Sequence, residues 1–345
     1  MSLKVAINGF GRIGRLVLRH LMAMEKAGKD IDIIAINDLA DIEALAHLFE
    51  FDSVHHRFDG EVRVDKEKGI LKLNDDDFQT FAERDPAKLP WGELGVDVVI
   101  ECTGFFRTRE GMQKHIDAGA KKVILSAPGK GVDMTVVMGV NSDQYDPAKH
   151  HLISNASCTT NCLATTIKVL DDAFGFEYGN MTTIHSYTND QQLLDAVHKD
   201  YRRMRAGAMN MIPTSTGASQ AVGLVLPHLS GKIEGLAVRV PTPNASLVDL
   251  TARLKGKVTV EDLMEAYKEA SEGDLEGILS FEWRSLVSSD FIGNPHSSTI
   301  DFPLLQVIQG DDDSTLVKVL AWYDNEWGYS ARTAELAWFL HEKGL

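Results

Sequence analysis

The sequence predicts an α/β protein in two parts, a doubly wound parallel sheet first and then an α+β region with a mainly antiparallel sheet. Three observations predict it. Up to the stretch SNASCTTNC at 154–162, apolar strand-like runs alternate with helical patterns, the order that builds a parallel sheet covered on both faces. Beyond it the runs take up a two-residue alternation suited to antiparallel strands. The length, 345 residues, is too great for one small core and suits two domains of ordinary size.

Each element has its own signal. KVAINGF (4–10) reads as a short buried strand, and GRIGRLVLRHLMAMEKAG follows as a helix with an apolar stripe. IDIIAIND (31–38) is a second strand and DIEALAHLFEFD a second amphipathic helix. GEVRVDKEKGILKLNDDDFQTFAERDP alternates between the breakers EKG and NDDD, so it reads as antiparallel ribbons. VDVVIECTG (96–104) is a strongly apolar strand, TREGMQKHIDAGA a helix and KKVILSA a strand; DMTVVMGVN and HHLISNA add two more strands. A long helix, TTNCLATTIKVLDDAFG, then precedes the alternating runs MTTIHSYT, KIEGLAVRVPTP and SLVDLTARL. TVEDLMEAYKEASEG is helical, with Thr259 placed as its cap and Asp262 three residues on to complete a capping box. The tail SARTAELAWFLHEKGL is an amphipathic helix.

Composition narrows the function classes. Fifty acidic against thirty-five basic residues give a net charge of −15, which repels phosphate backbones and argues against duplex nucleic acid as the main partner. No run approaches the ~18 apolar residues of a spanning helix, so no membrane role is expected. MSLKVAINGF enters a strand-like pattern at once, so no signal peptide is expected. Three cysteines are too few for a secreted disulfide framework, and the expected setting is the reducing cytoplasm.

Two stretches carry chemistry. GFGRIG (9–14) places Gly9, Gly11 and Gly14 in the G-x-G-x-x-G spacing, leaving a strand and opening a helix. That context suits a Rossmann dinucleotide site, where bare backbone approaches a pyrophosphate at a helix N-terminus. Asp38 ends the second strand, where a carboxylate accepts from ribose hydroxyls and repels a 2′-phosphate. A tight turn and an ordinary strand-end aspartate fit the same residues.

The second stretch is SNASCTTNC. A disulfide between Cys158 and Cys162 suits neither the compartment nor helical geometry. A zinc site lacks C-x-x-C, and the histidine pairs at 55–56 and 150–151 lack ligand spacing. Cys162, inside the helix beside Leu163, reads as a buried thiol. Cys158 lies at a strand-to-helix turn, where N–H groups and the helix dipole favour a thiolate, and His185 in TIHSYTND is a candidate base. From spacing alone, a buried thiol and an activated nucleophile both stay open for Cys158.

Along essentially its whole length the chain resembles the phosphorylating (type I) glyceraldehyde-3-phosphate dehydrogenases. The matching segments are INGFGRIGR, AINDL, AERDP, ECTG, SNASCTTNCL, HSYTNDQ, PTSTGA, RVPTPN and WYDNEWGYS. The resemblance implies a Rossmann NAD-binding domain over 1–156, completed by a C-terminal helix from about 325 to 345. It also implies an α+β catalytic domain over 157–324, and a cytoplasmic homotetramer of glycolysis. The implied reaction oxidises glyceraldehyde 3-phosphate with NAD and inorganic phosphate to 1,3-bisphosphoglycerate. Cys158 would be the nucleophile and His185 the base, through a hemithioacetal and a thioester. Thr188 and Arg239 would hold the substrate phosphate. Ser157, Thr159, Arg203, Thr216 and Gly217 would hold the attacking phosphate. Gly9, Gly11, Arg12, Ile13, Gly14, Asp38, Arg84, Ser126 and Asn325 would contact NAD, with Asn325 fixing the nicotinamide carboxamide. No metal is implied.

Two departures stand out. Ala196–Val197 replaces the Leu-Pro common in NAD-specific members without matching the small residue and Ser of forms using NADP. His56 stands where a glycine is usual. The rival readings are an erythrose-4-phosphate dehydrogenase, against which SAPGKG and PTSTGA speak, and a catalytically silent NAD-binding interaction protein. The latter would lack the nucleophile, the base or the anion-binding arginine, and this chain has all three.

Overall fold

The structure, a computed structural model, describes residues 2–345. The chain forms two compact units, one from the residues up to Val136 with Gln144–Ala156 and Ser330–Leu345, the other from Val137–Asp143 and Ser157–Tyr329.

The first unit runs β1 (Leu3–Asn8), α1 (Arg12–Lys26), β2 (Ile31–Asn37), α2 (Ile42–Glu50), β3 (Val62–Asp65), β4 (Ile70–Leu73) and β5 (Asp76–Phe81). It continues with α3 (Trp91–Leu94), β6 (Val98–Glu101), α4 (Arg109–Asp117), β7 (Lys122–Leu125), β8 (Met134–Thr135) and β9 (Leu152–Ser154). The nine strands lie in the order β3-β4-β5-β2-β1-β6-β7-β9-β8. β1 pairs parallel with both β2 and β6, and Leu3, Val5, Ala6 and Ile7 are fully buried. A continuous apolar run of this kind belongs to a strand covered on both faces. β3, β4 and β5 form the antiparallel ribbon that the EKG and NDDD breakers predict. The strand expected at DMTVVMGVN is only Met134–Thr135. There the Val137 N–H donates to Asn141 Oδ1 at 2.9 Å and the chain turns away, so 137–143 clusters with the second unit.

The second unit contains α5 (Cys158–Phe174), β10 (Phe176–Ser186), β11 (Ile212–Ser215), α6 (Ala218–Val225), β12 (Ile233–Val240) and β13 (Ser246–Lys255). After these come α7 (Val260–Glu272), β14 (Leu279–Glu282), β15 (Ser298–Asp301), β16 (Gln306–Gln309) and β17 (Ser314–Tyr323). The strand order is β11-β12-β10-β13-β17-β15-β14, with β16 on β17. Pairing is antiparallel except for β10 with β12 and β14 with β15. α5 buries Cys162, Leu163, Ile167 and Leu170 completely and lies against β13 and β17. The capping box of α7 is formed: Asp262 N–H donates to Thr259 Oγ1 at 3.1 Å, and Thr259 N–H to Asp262 Oδ2 at 2.8 Å. α8 (Trp327–Glu342) joins the first unit from Ser330 onward. Among the described residues no helix is long and apolar enough to cross a membrane.

Candidate active site

In the first unit a cleft of about 540 Å³ opens at the carboxyl ends of β1, β2 and β6, lined by Gly9, Gly11, Asp38, Arg84 and Thr103 among others. Strand ends of an open α/β sheet are where such folds bind ligands. Each glycine of the fingerprint has its own reason. Gly9 has φ 94°, and a Cβ there would come within 2.6 Å of the Thr103 nitrogen. At Gly14 a Cβ would press to 2.1 Å on the Gly9 carbonyl oxygen, so α1 could not pack against the turn. Gly11 caps α1 without a side-chain bond, and a Cβ there would meet no protein atom. Packing does not require a glycine at Gly11, but a diphosphate against the helix start does. The residues present fit a dinucleotide.

Asp38 is held rigidly. Its Oδ2 accepts from Phe10 N–H at 2.7 Å and its Oδ1 from Ala40 N–H at 3.0 Å, leaving each oxygen further lone pairs for ribose hydroxyls. Arg12 and Ile13 are the first two residues of α1. The Arg12 guanidinium, however, pairs with Asp52 at 3.3 Å. Burial works to raise Asp52, but the N–H groups of His55 and Val54, helped by Arg12, hold its carboxyl down at about 2. Arg12 therefore ties the 52–58 loop to α1 through its side chain, and only its backbone is at the helix start. Ser126 donates its hydroxyl to the Glu101 carbonyl at 3.0 Å and does not line the cleft.

In the second unit Cys158 is the first residue of α5. Its neighbour Ser157 caps the helix by accepting from Thr160 N–H at 3.1 Å. His185, 4 % exposed near the end of β10, brings Nε2 to 3.5 Å from Cys158 Sγ. The tautomer follows from the other nitrogen. His185 Nδ1 is 2.7 Å from the Ser186 carbonyl oxygen, a distance that requires Nδ1 to carry the proton. Arg239 NH1 donates to the same carbonyl at 3.1 Å, so its 3.1 Å approach to Nδ1 is that of two donors sharing one acceptor. Nε2 is then free of hydrogen and faces the thiol as a base.

The electrostatics differ from the simple thiolate expectation. Burial pushes the Cys158 thiol above its ordinary value, while Arg239 and the N–H groups of Thr159 and Cys158 pull the other way. Burial, then Arg239, pushes the His185 imidazole down to about 3. Both directions favour a resting thiol beside a neutral imidazole. The helix start still acts, but desolvation outweighs it. Cys102 and Cys162 are both pushed up to about 12 by burial. Cys162 faces Ser298 and the Ala321 carbonyl at 3.7 Å, a structural thiol.

Basic and hydroxyl groups surround the pair. The parallel register of β10 and β12 sets His185 beside Arg239, whose NH1 reaches Thr188 Oγ1 at 3.5 Å and whose buried Nε has no hydrogen-bond partner among the described residues. Arg203 donates Nε to Thr214 Oγ1 at 3.1 Å and pairs with Asp190; its charge also acts on His185. Thr216 Oγ1 accepts from Ala218 N–H at 3.2 Å, and Gly217 opens α6 with bare backbone. The Thr159 hydroxyl instead turns inward to Tyr323 Oη at 2.9 Å. Asn325, 6 % exposed, accepts from Ser246 Oγ at 2.7 Å. Among the described residues no cluster of three or more His, Cys, Asp or Glu could hold a metal ion.

Residues 3–109 match the family model described as glyceraldehyde 3-phosphate dehydrogenase, NAD binding domain, and residues 157–325 match the C-terminal domain of the same family. Proteins named glyceraldehyde-3-phosphate dehydrogenase from Priestia megaterium and, numbered 1, from Bacillus subtilis are each 56 % identical over 345 residues, covering all of both chains. One from Geobacillus stearothermophilus is 55 % identical over the same length. The chain belongs to the glyceraldehyde-3-phosphate dehydrogenase family. Residues 3–109, within the first unit, accordingly match the NAD-binding domain of that family, and NAD is the cofactor.

Several residues of this family member were not legible as site residues in sequence. Ser186 fixes the base through its carbonyl, and Tyr323 bonds Thr159 and Thr183 while its ring stands edge-on to His185 at 6.0 Å. Asp190 holds Arg203. The only sequence signal is that Ser186 and Asp190 fall inside the matching segment HSYTNDQ and Tyr323 inside WYDNEWGYS.

Proposed function

We propose that the protein oxidises D-glyceraldehyde 3-phosphate with NAD and inorganic phosphate to 1,3-bisphosphoglycerate. The observation that carries this reading is Cys158 Sγ at 3.5 Å from an Nε2 whose tautomer Ser186 sets, with Arg239 beside both. Cys158 sulfur adds to the aldehyde carbon while its proton passes to His185 Nε2. That proton completes the hemithioacetal hydroxyl. Bound NAD supplies the hydride acceptor. As the hydride leaves carbon, Nε2 takes the hydroxyl proton and Cys158 is left as a thioester. Phosphate oxygen then attacks the thioester carbon, and the sulfur departs and regains its proton from Nε2. The Cys158 N–H and the His185 ring stabilise the oxyanions on the way.

Arg239 and Thr188 bind the substrate phosphate, and Arg203, Thr216, Gly217 and Ser157 bind the attacking one; guanidinium, hydroxyl and N–H groups match phosphate oxygens. Thr159 contributes through its backbone at the helix start, since its hydroxyl is held by Tyr323. Arg12 and Ile13 serve the nucleotide through their backbone at the helix start, Asp38 and Arg84 line its cleft, and Asn325 donates to the nicotinamide carboxamide. The chain works as a cytoplasmic homotetramer. Supporting self-association, the 187–211 segment exposes Leu193 at 82 %, Val197 at 90 % and Tyr201 at 82 %. Light scattering at working concentration tests the copy number.

The deciding assay follows reduced nicotinamide formation with glyceraldehyde 3-phosphate or erythrose 4-phosphate, with and without phosphate. Phosphate-dependent turnover of the triose with a clear preference over the tetrose is expected. A tetrose preference, or no turnover of either, overturns the reading.

A further inference from the structure

Asn325 presents an asymmetric amide, and which end faces outward decides what it recognises. Two buried groups behind it settle the question. Ser186 N–H donates to Ser246 Oγ at 3.1 Å, and Ser246 Oγ is 2.7 Å from Asn325 Oδ1. Ser246 is 1 % exposed and Ser186 fully buried, so no solvent stands in for a missing partner. A hydroxyl has one proton. Because Ser246 Oγ already accepts from the Ser186 N–H, its proton is the one available for the amide. Turning the amide over would set Nδ2–H against the hydroxyl and strand that proton in a buried place. The bonds run in one direction, from Ser186 N–H to Ser246 O–H to the Asn325 carbonyl, and aligned chains polarise each other favourably. Ser246 is the only hydrogen-bond partner of the Asn325 side chain among the described residues, so Nδ2 is left as the donor end.

We infer that Ser246 is a positioning residue for cofactor recognition: it locks the Asn325 amide so that Nδ2 donates to the carboxamide carbonyl of nicotinamide. Ser186 has two duties in this arrangement. Its carbonyl sets the His185 tautomer and its N–H starts the chain that orients Asn325, so the base and the cofactor clamp share one residue of β10. The inference rests on the proposed role of Asn325 and adds what fixes its orientation.

The test is binding, independent of turnover, and compares NAD with ADP-ribose, which has the same nucleotide but no nicotinamide. Dissociation constants are measured by calorimetry on the full-length protein and on Ser246→Ala, Ser246→Cys, Ser246→Thr and Asn325→Ala, with melting temperatures alongside. Ser246→Ala is expected to weaken NAD by ~tenfold, the worth of one oriented hydrogen bond, and to leave ADP-ribose within about twofold. Ser246→Thr, which restores the hydroxyl, is expected to recover NAD binding. Ser246→Cys fills the space with a weak donor and carries the comparison if Ser246→Ala does not fold; its NAD affinity is expected to fall while ADP-ribose holds. If Asn325→Ala leaves the ratio of the two affinities unchanged, the Asn325 role fails and this inference with it. If Asn325→Ala changes the ratio but neither Ser246→Ala nor Ser246→Cys does, Ser246 has no positioning role and the inference alone is overturned. Equal loss of both ligands in the Ser246 variants shows a structural role only and overturns it as well.

Discussion

His185 and Cys158 show how much of a residue's chemistry is set by groups a sequence cannot place. The sequence marked both side chains and left open a buried thiol and a thiolate favoured by the helix start. Burial reverses that balance, raising the thiol and lowering the imidazole to about 3. The resting pair is therefore neutral, and in the proposed reaction the proton is expected to move as sulfur attacks. Cys158→Ser is expected to abolish phosphorylating turnover, because a serine hydroxyl stays protonated beside a base of such low basicity. Cys162→Ser should retain most of it. A thiol reagent should label Cys158 first, since burial holds Cys102 and Cys162 up at about 12. Mass spectrometry of the labelled peptide checks this, and modification at Cys102 or Cys162 ahead of Cys158 contradicts it. His185→Asn removes the acceptor for the thiol proton and should lower kcat/KM by ~10²–10⁴. An unchanged alkylation rate in that variant would show that the two side chains do not act as a pair.

At the scale of elements, signals local in sequence were legible and those needing a tertiary partner were not. The fingerprint glycines, the α7 capping box and the β3–β5 ribbon follow from spacing and turn chemistry, and the structure has them. The parallel seating of β12 on β10, which brings Arg239 to His185, leaves no trace in periodicity because register is set across fifty-odd residues of chain. The departure at His56 has a backbone cause: its φ is 61°, the left-handed region that glycine enters without strain. Histidine tolerates that region better than branched residues do. His56→Val is expected to cost about 1–2 kcal/mol, read as a lower urea midpoint, with His56→Gly close to the parent. A midpoint unchanged by His56→Val would show that the turn is not held in this conformation. At the end of β2, Asp38 is expected to govern cofactor choice. Two backbone N–H groups hold Asp38 in place, so it cannot swing away from a 2′-phosphate. Close negative charges repel by roughly 1 kcal/mol in bulk water and more in a partly dry cleft. Val197, 90 % exposed, supplies no donor that would offset this. The preference for NAD over NADP in kcat/KM is expected to reach ~tenfold or more, about 1.4 kcal/mol. Asp38→Gly should shrink it by improving NADP use while weakening NAD. Equal efficiency with the two cofactors in the unmodified protein would show that the loop at Ala196–Val197, and not the carboxylate, decides.

For the whole molecule, the cost of burying a base appears as a dependence of stability on pH. His185 titrates at about 3 in the fold against an ordinary 6.5 for an unfolded chain. Below pH 6.5 the unfolded chain binds a proton that the native state refuses, so stability falls as pH falls, until the native imidazole itself titrates near 3. Each pH unit in that window is worth ~1.4 kcal/mol, so His185 alone should remove about 2 kcal/mol between pH 6.5 and pH 5. Asp52 acts in the same sense but in a lower window. Its carboxyl, held down at about 2, adds stability that is complete above its ordinary 3.8 and lost as pH falls through about 2. Between pH 6.5 and pH 5, then, Asp52 contributes no slope. Urea unfolding at fixed protein concentration, with its midpoint converted to free energy at each pH, isolates the histidine. The parent should lose stability steadily over that interval, and His185→Asn, which cannot take up the proton in either state, should show a slope flatter by about 1.4 kcal/mol per pH unit. Equal slopes in the two proteins would mean that the native imidazole accepts its proton as readily as the unfolded one. Burial would then not lower the imidazole; a slope of opposite sign, with stability rising as pH falls, would instead mark an imidazolium beside a Cys158 thiolate.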